Sequence, residues 1–129
     1  MFDKLEIFRM AQGLAVHASA RQAVVARNVA NADTPGYRAQ DIADFATTYR
    51  QADDGLTLRA TRAGHISGNT PAQQAVLIAT PSEGEPNGNA VSLEDEMVKS
   101  VETKKQHDLA LAVYRSSLGI LRTSLGRSR

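Results

Sequence analysis

The residue types best suited to proton transfer or metal ligation are three histidines, His17, His65 and His107, which lie in separate segments of a 129-residue chain that has no cysteine. A zinc site needs paired ligands at short spacing, and no His-x-x-x-His or His-Glu arrangement occurs, so surface or core positions account for all three. Gly64-His65-Ile66-Ser67-Gly68 holds a serine between glycines. It lacks both the spacing and the strand-turn-helix setting of a nucleophile elbow. A Gly-x-x-x-x-Gly-Lys phosphate loop is missing, as is an Asn-x-Ser/Thr acceptor. Glu94, Asp95 and Glu96 are adjacent carboxylates, but neighbours on one helical turn point in different directions and serve better as charges at a helix N-terminus. The expectation is no catalytic residue, no cofactor and no metal.

Composition narrows the class. The chain is long enough to bury roughly two-thirds of its surface, yet three Phe, three Tyr and no Trp are available to fill a core. Alanine is abundant instead and suits closely packed helices. A net charge of +1 argues against a dedicated polyanion binder. The C-terminal part is the more basic one, with seven Lys/Arg against five Asp/Glu from Ser92 onward. Met1-Phe2-Asp3-Lys4-Leu5-Glu6 mixes acid and base and leads into no apolar stretch with a small-residue cleavage site, so no cleavable signal peptide is expected. Gln12, His17, Arg21 and Arg27 interrupt the most apolar run, which rules it out as a spanning helix.

The elements that position these residues begin with a helix from Leu5 to Asn31. Phe8, Ala11, Ala15, Ala18, Gln22, Val25 and Val29 recur at spacings of three and four along it. At 1.5 Å per residue this is a rod of about 40 Å. Asn31 is expected to end it in the left-handed conformation, and Pro35 bars its continuation. Thr34-Pro35-Gly36-Tyr37 then specifies a type II turn, proline at the second position and glycine at the third, where φ is positive.

Asp41 is expected to cap a short helix with Ile42, Phe45, Ala46 and Tyr49 on one side, ending at Gly55. Leu56–Thr61 alternates like a half-buried strand, and Ala75–Thr80 is a second run that would pair with it as a hairpin. Pro81 to Asn89 has the composition of a linker. Ser92-Leu93-Glu94-Asp95 has the form of a capping box and opens a second long helix reaching about Leu125. Leu93, Met97, Leu111, Tyr114, Leu118, Leu121 and Leu125 fall on one heptad phase, with Val98, Val101, Leu109 and Ala112 beside it.

The reading is a mainly α protein: long terminal helices packed as a coiled-coil-like pair, with a central segment of turns, one short helix and a small β-hairpin. It divides at 1–33, 34–91 and 92–129. Expected packing positions are Phe8, Ala15, Val25, Val29, Val101, Leu111, Tyr114, Leu118, Leu121 and Leu125. Apolar residues on the remaining faces exceed what one neighbour covers, which points to an assembly of copies.

Asn28 to Ala39 (Asn-Val-Ala-Asn-Ala-Asp-Thr-Pro-Gly-Tyr-Arg-Ala) resembles the N-terminal signature of bacterial flagellar rod, hook and hook-associated proteins, and Gln40-Asp41-Ile42 brings it nearest to the proximal-rod members. Asn87 to Met97 is similar to the family's Asp-Gly-Asn-Asn-Val-Asp-Leu-(Asp/Glu)-x-Glu-Met stretch, departing at Asn87, Ala90 and Ser92. His107 stands where an aromatic is expected. The resemblance covers both ends and leaves about 51 to 85 unmatched.

It implies a structural, non-enzymatic subunit of the basal-body rod that assembles helically, transmits torque and reaches the periplasmic space through the flagellar export gate. The implied assembly residues are Asn28, Asn31, Thr34, Pro35, Gly36, Tyr37, Gly88, Asn89, Leu93, Glu96 and Met97. Implied partners are other copies, other rod proteins, the basal-body adaptor and membrane ring, and the export gate, with no nucleic acid or small-molecule substrate. The alternative from the residues alone is a helical nucleic-acid-binding or regulatory dimer, resting on the basic C-terminal helix.

Overall fold

The computed structural model describes residues 2–53, 77–80 and 90–126. Helix α1 spans Phe2–Ala30, strand β1 Gln40–Ile42, helix α2 Phe45–Asp53, strand β2 Leu77–Ala79 and helix α3 Leu93–Gly126. The mainly α architecture, with long helices towards the two ends and a small two-stranded sheet between them, is the one the periodicity predicts. α1 and α3 lie antiparallel: Phe8 stacks edge-on against Tyr114 at 5.3 Å, Gln22 meets Ser100, and Asn28 meets Glu96.

α1 ends at Ala30, where the sequence places its end, but Asn31 is not left-handed. No residue other than glycine has positive φ among the described residues. Asn31 instead donates its amide N–H to the carbonyls of Arg27 and Asn28, and its side-chain Nδ2 donates to the Arg27 oxygen at 2.7 Å. These bonds occupy the last helical carbonyls, which a left-handed residue would otherwise have satisfied. Ala32 and Thr34 tighten the exit with i to i+3 bonds. The turn then forms as specified: Tyr37 N–H donates to the Thr34 carbonyl at 3.2 Å, and Gly36 sits at φ 75°.

Asp41 lies in β1 and is not the cap of the short helix. Its carboxylate is held by Arg21, which draws this part of the chain along α1 in extended form. α2 therefore starts later, with the Asp44 carbonyl accepting the first helical bond from Thr48. The apolar run 75–80 does supply a strand, but its partner is β1, antiparallel with Gln40 opposite Ala79 and Ile42 opposite Leu77. The expected strand at Leu56–Thr61 lies outside the described residues. A two-stranded sheet is marginal alone; this one is anchored by Ile42 and Ala39, both buried.

The Ser92 half of the capping box forms. Ser92 Oγ accepts the Asp95 N–H at 3.3 Å, and the Ser92 carbonyl accepts that of Glu96. The acidic first turn of α3 complements the helix dipole. No helix among the described residues is long and apolar enough to cross a membrane.

Candidate assembly interface

Two parts of the sequence more than sixty residues apart meet in one buried polar cluster. Asn28, on α1, is fully buried. Its Nδ2 donates to the Gln40 carbonyl at 2.7 Å and to Glu96 Oε2 at 3.0 Å, while its Oδ1 accepts from the Tyr37 hydroxyl and the Gln40 N–H, each at 3.2 Å. An asparagine side chain offers two donors and two acceptor positions, so all four are used. Glu96 is buried on α3, and its other oxygen accepts from Lys99 Nζ at 2.7 Å. One amide thus ties α1, the segment after the turn, and α3 together. A parallel bridge between Arg38 and Ala90, with Ala90 N–H donating to the Tyr37 carbonyl, closes the same junction.

A charged cluster lies two α1 turns away. Arg21 holds Asp41 with both ends of its guanidinium, at 2.9 and 3.0 Å, and stands 3.9 Å from Glu102 on α3. Burial pushes the Asp41 carboxyl up. The hydrogen bonds from Arg21 and from the Ile42 N–H, with the charges of Arg21 and Lys99, outweigh it, so the carboxyl stays below its ordinary value. The bond to Asp41 raises the Arg21 guanidinium in turn, against the opposing effect of burial. His17 donates Nε2–H to the Ala43 carbonyl at 2.8 Å and stacks edge-on against Phe45.

The remaining predicted residues fall into distinct settings. Thr34, Pro35 and Gly36 are exposed on the turn, Tyr37 is half-buried, and Asn31 closes α1. Gly88 and Asn89 lie outside the described residues. Of the packing positions, Val25 is buried and Phe8, Ala15, Leu118 and Leu121 are half-buried, while Val29, Leu111 and Tyr114 are more open. Leu93, Met97, Val101 and Leu125 are 50%, 63%, 69% and 78% exposed.

The contact between α1 and α3 within one chain uses a different series on α3. Its three buried residues are Glu96, Thr103 and Ala110, one heptad apart; Ser100, His107, Tyr114, Ser117 and Leu121 complete the same alternation. The three buried ones are small or polar, so a search for apolar periodicity passes over them while still finding Tyr114 and Leu121. On α1 the overlooked signal is His17, Arg21, Val24 and Asn28, a mostly polar 4-3-4 series that receives β1 and α2.

A cleft of about 420 Å³ between the helices is lined by Ala18, Ser19, Gln22, Ser100, Thr103, Lys104 and His107. Among the described residues no group of three or more His, Asp or Glu could hold a metal ion. What the geometry offers is a rigid junction plus exposed apolar helix faces, which is the equipment of an interaction protein.

Comparison with known proteins agrees. The family model described as flagella basal body rod protein matches residues 11–38, a window that takes in Asn28, the turn and Tyr37. The chain is 34% identical over 128 residues to the flagellar basal body rod protein FlgB of Escherichia coli, and 33% identical over 128 residues to that of Salmonella typhimurium, each alignment covering 92% of both chains. It is 31% identical over 116 residues to that of Agrobacterium fabrum, with 87% of both chains covered. With this likeness running almost end to end, the chain belongs to the FlgB family of flagellar basal body rod proteins, a structural and non-enzymatic family.

Proposed function

We propose that this chain is a subunit of the proximal rod of the flagellar basal body, which stacks helically with copies of itself and with other rod proteins and passes torque from the membrane ring towards the distal rod and hook. Regions 1–33 and 92–129 form the inner tube, and 34–91 faces outward. The basal-body adaptor and membrane ring lie at one end of the stack. The subunit reaches the periplasmic space through the flagellar export gate.

The observation that carries this reading is the outward apolar surface of α3, with Met97, Val98 and Val101 all more than half exposed on one stretch. A monomer gains nothing by holding such side chains in water, whereas a neighbouring subunit buries them at about 25 cal/mol per Å². A heterologous contact of this kind that does not close generates a filament. Asn28 and Glu96 support it from the other direction, since they fix the angle between the turn and both helices.

The test is complementation of a strain lacking the gene. Wild-type chain restores swimming and intact rods; Val101→Glu, with unchanged helix content as purified protein, leaves basal bodies without a rod. Normal swimming by that variant removes the role assigned to the exposed face.

A further inference from the structure

Arg21 on α1 stands 3.9 Å from Glu102 on α3. One turn further along the antiparallel pair, the same two faces carry His17, four residues before Arg21, and Gln106, four residues after Glu102. The alignment continues to Phe8 and Tyr114, so it holds on both sides of this level. His17 is 4% exposed. Its Nε2 lies 2.8 Å from the Ala43 carbonyl, which only accepts, so Nε2 carries a hydrogen and in the neutral ring Nδ1 has a lone pair alone. Nδ1 is buried and unpartnered among the described residues, and so is Gln106 Oε1. Two buried acceptors leave each other unsatisfied, whereas a proton on Nδ1 satisfies both.

The charges around the ring favour that proton. On α1 the nearby cation is Arg21, whose guanidinium is already held by Asp41 of β1. Asp44, which leads into α2, and Glu102 of α3 add two more carboxylates near that guanidinium. Lys99 acts on Asp41 but is bound to Glu96. α2 contributes the edge-on Phe45 ring and Tyr49 beyond it. Of the residues flanking Gln106, Lys105 is exposed and His107 lines the cleft with Ser19 and Gln22.

We propose that His17 is a proton-operated clasp: as imidazolium it donates Nε2–H to the Ala43 carbonyl and Nδ1–H to Gln106 Oε1, and so ties the segment entering α2 to both long helices. The neutral ring holds Ala43 alone. Histidine is the side chain whose charge changes between about pH 5 and pH 8. The folded chain offers the second proton an acceptor that the unfolded chain lacks, so acidification across this range tightens the clasp. The sign is opposite to that of the Arg21–Asp41 pair, which acid weakens.

Urea unfolding of the dilute, purified full chain from about pH 8 to about pH 5.5 tests it, together with the ring-nitrogen NMR signals of His17. In wild type the folded-to-unfolded ratio rises several-fold on acidification, and both ring nitrogens carry hydrogen at the acid end. Gln106→Leu removes the acceptor and His17→Gln removes the proton site; each abolishes the rise, whereas His107→Gln keeps it. Gln106→Glu puts a charged acceptor in the same place and enlarges the rise, a gain that no folding defect produces. A wild-type ratio that stays flat or falls on acidification overturns the clasp, as does a rise that survives Gln106→Leu. So does a His17 ring with one bare nitrogen at the acid end, the signature of a Gln106 amide turned to donate from its nitrogen.

Discussion

Asn28 and Glu96 show how a buried polar pair can be worth keeping when every donor and acceptor is matched. Glu96 is 1% exposed and takes hydrogen bonds from Asn28 and from Lys99, so removing one partner leaves a carboxylate short of a bond in a dry place. Asn28→Ala is expected to destabilise the chain by about 3 kcal/mol, measured by denaturant unfolding, and to free the Tyr37 hydroxyl. Asn28→Asp should not rescue it, because a second carboxylate would face Glu96. Arg21 and Asp41 make a different kind of pair, near the surface and sensitive to pH. The Asp41 carboxyl is held below its ordinary value, so its contribution is complete above the unfolded-state pKa of about 4 and is lost as pH falls through the lower native value. Thermal melts should show stability dropping on acidification below about pH 4, with a shallower drop in Asp41→Asn. An identical acid profile in that variant would assign the drop to other carboxylates.

Among the elements, α3 has two sides with different duties. Glu96, Thr103 and Ala110 are buried against the rest of the chain, whereas Met97, Val98 and Val101 are not. Small side chains let two helices approach closely, and Ala110, 1% exposed, has no room to grow. Ala110→Leu is expected to cost about 2 kcal/mol through overpacking. Val101→Ala, although it removes a larger apolar group, should change monomer stability by less than about 0.5 kcal/mol, because the side chain is already in water. Urea denaturation of both variants checks the contrast; equal losses would mean that Val101 is packed within the chain. β1 and β2 illustrate dependence on context, since three residue pairs do not sustain a sheet unaided and Ile42 and Ala39 supply the anchorage.

At the scale of the whole molecule, stability is concentrated at one end of the helical pair. The polar junction, the Arg21 cluster and β1 all lie near the C-terminal half of α1 and the N-terminal half of α3. From Leu111 to Gly126 no residue of α3 is fully buried, and the edge contact of Phe8 with Tyr114 is the aromatic anchor there. Local opening follows burial. Hydrogen exchange on the isolated chain should therefore find amides of 111–126 exchanging far faster than those of 96–110, and the difference should shrink in assembled basal bodies as neighbours cover the exposed face. Uniform protection along α3 in the free chain would contradict an incompletely covered helix.

Much of this was legible in the residues themselves. Apolar periodicity marks both long helices; Pro35 and Gly36 mark the turn, because their backbone preferences are local; Ser92 marks the start of α3 by the same logic. The motifs around Asn28 and Glu96 also identify the family without coordinates. Local rules fail where a distant partner decides. Asp41 reads as a helix cap until Arg21, twenty residues earlier, holds it in a strand, and the left-handed conformation expected of Asn31 proves unnecessary once its own amide reaches the Arg27 carbonyl. Which face of α3 turns inward was hidden for the same reason. Hydrophobicity alone favours Leu93, Met97 and Val101, but the fold turns Glu96, Thr103 and Ala110 inward, because Asn28 and Lys99 satisfy the carboxylate and small side chains bring the helices close. The sequence by itself therefore determined the elements and the family, through bonds that each residue makes with near neighbours; the tertiary structure decided which faces meet, because that depends on partners brought together only by folding.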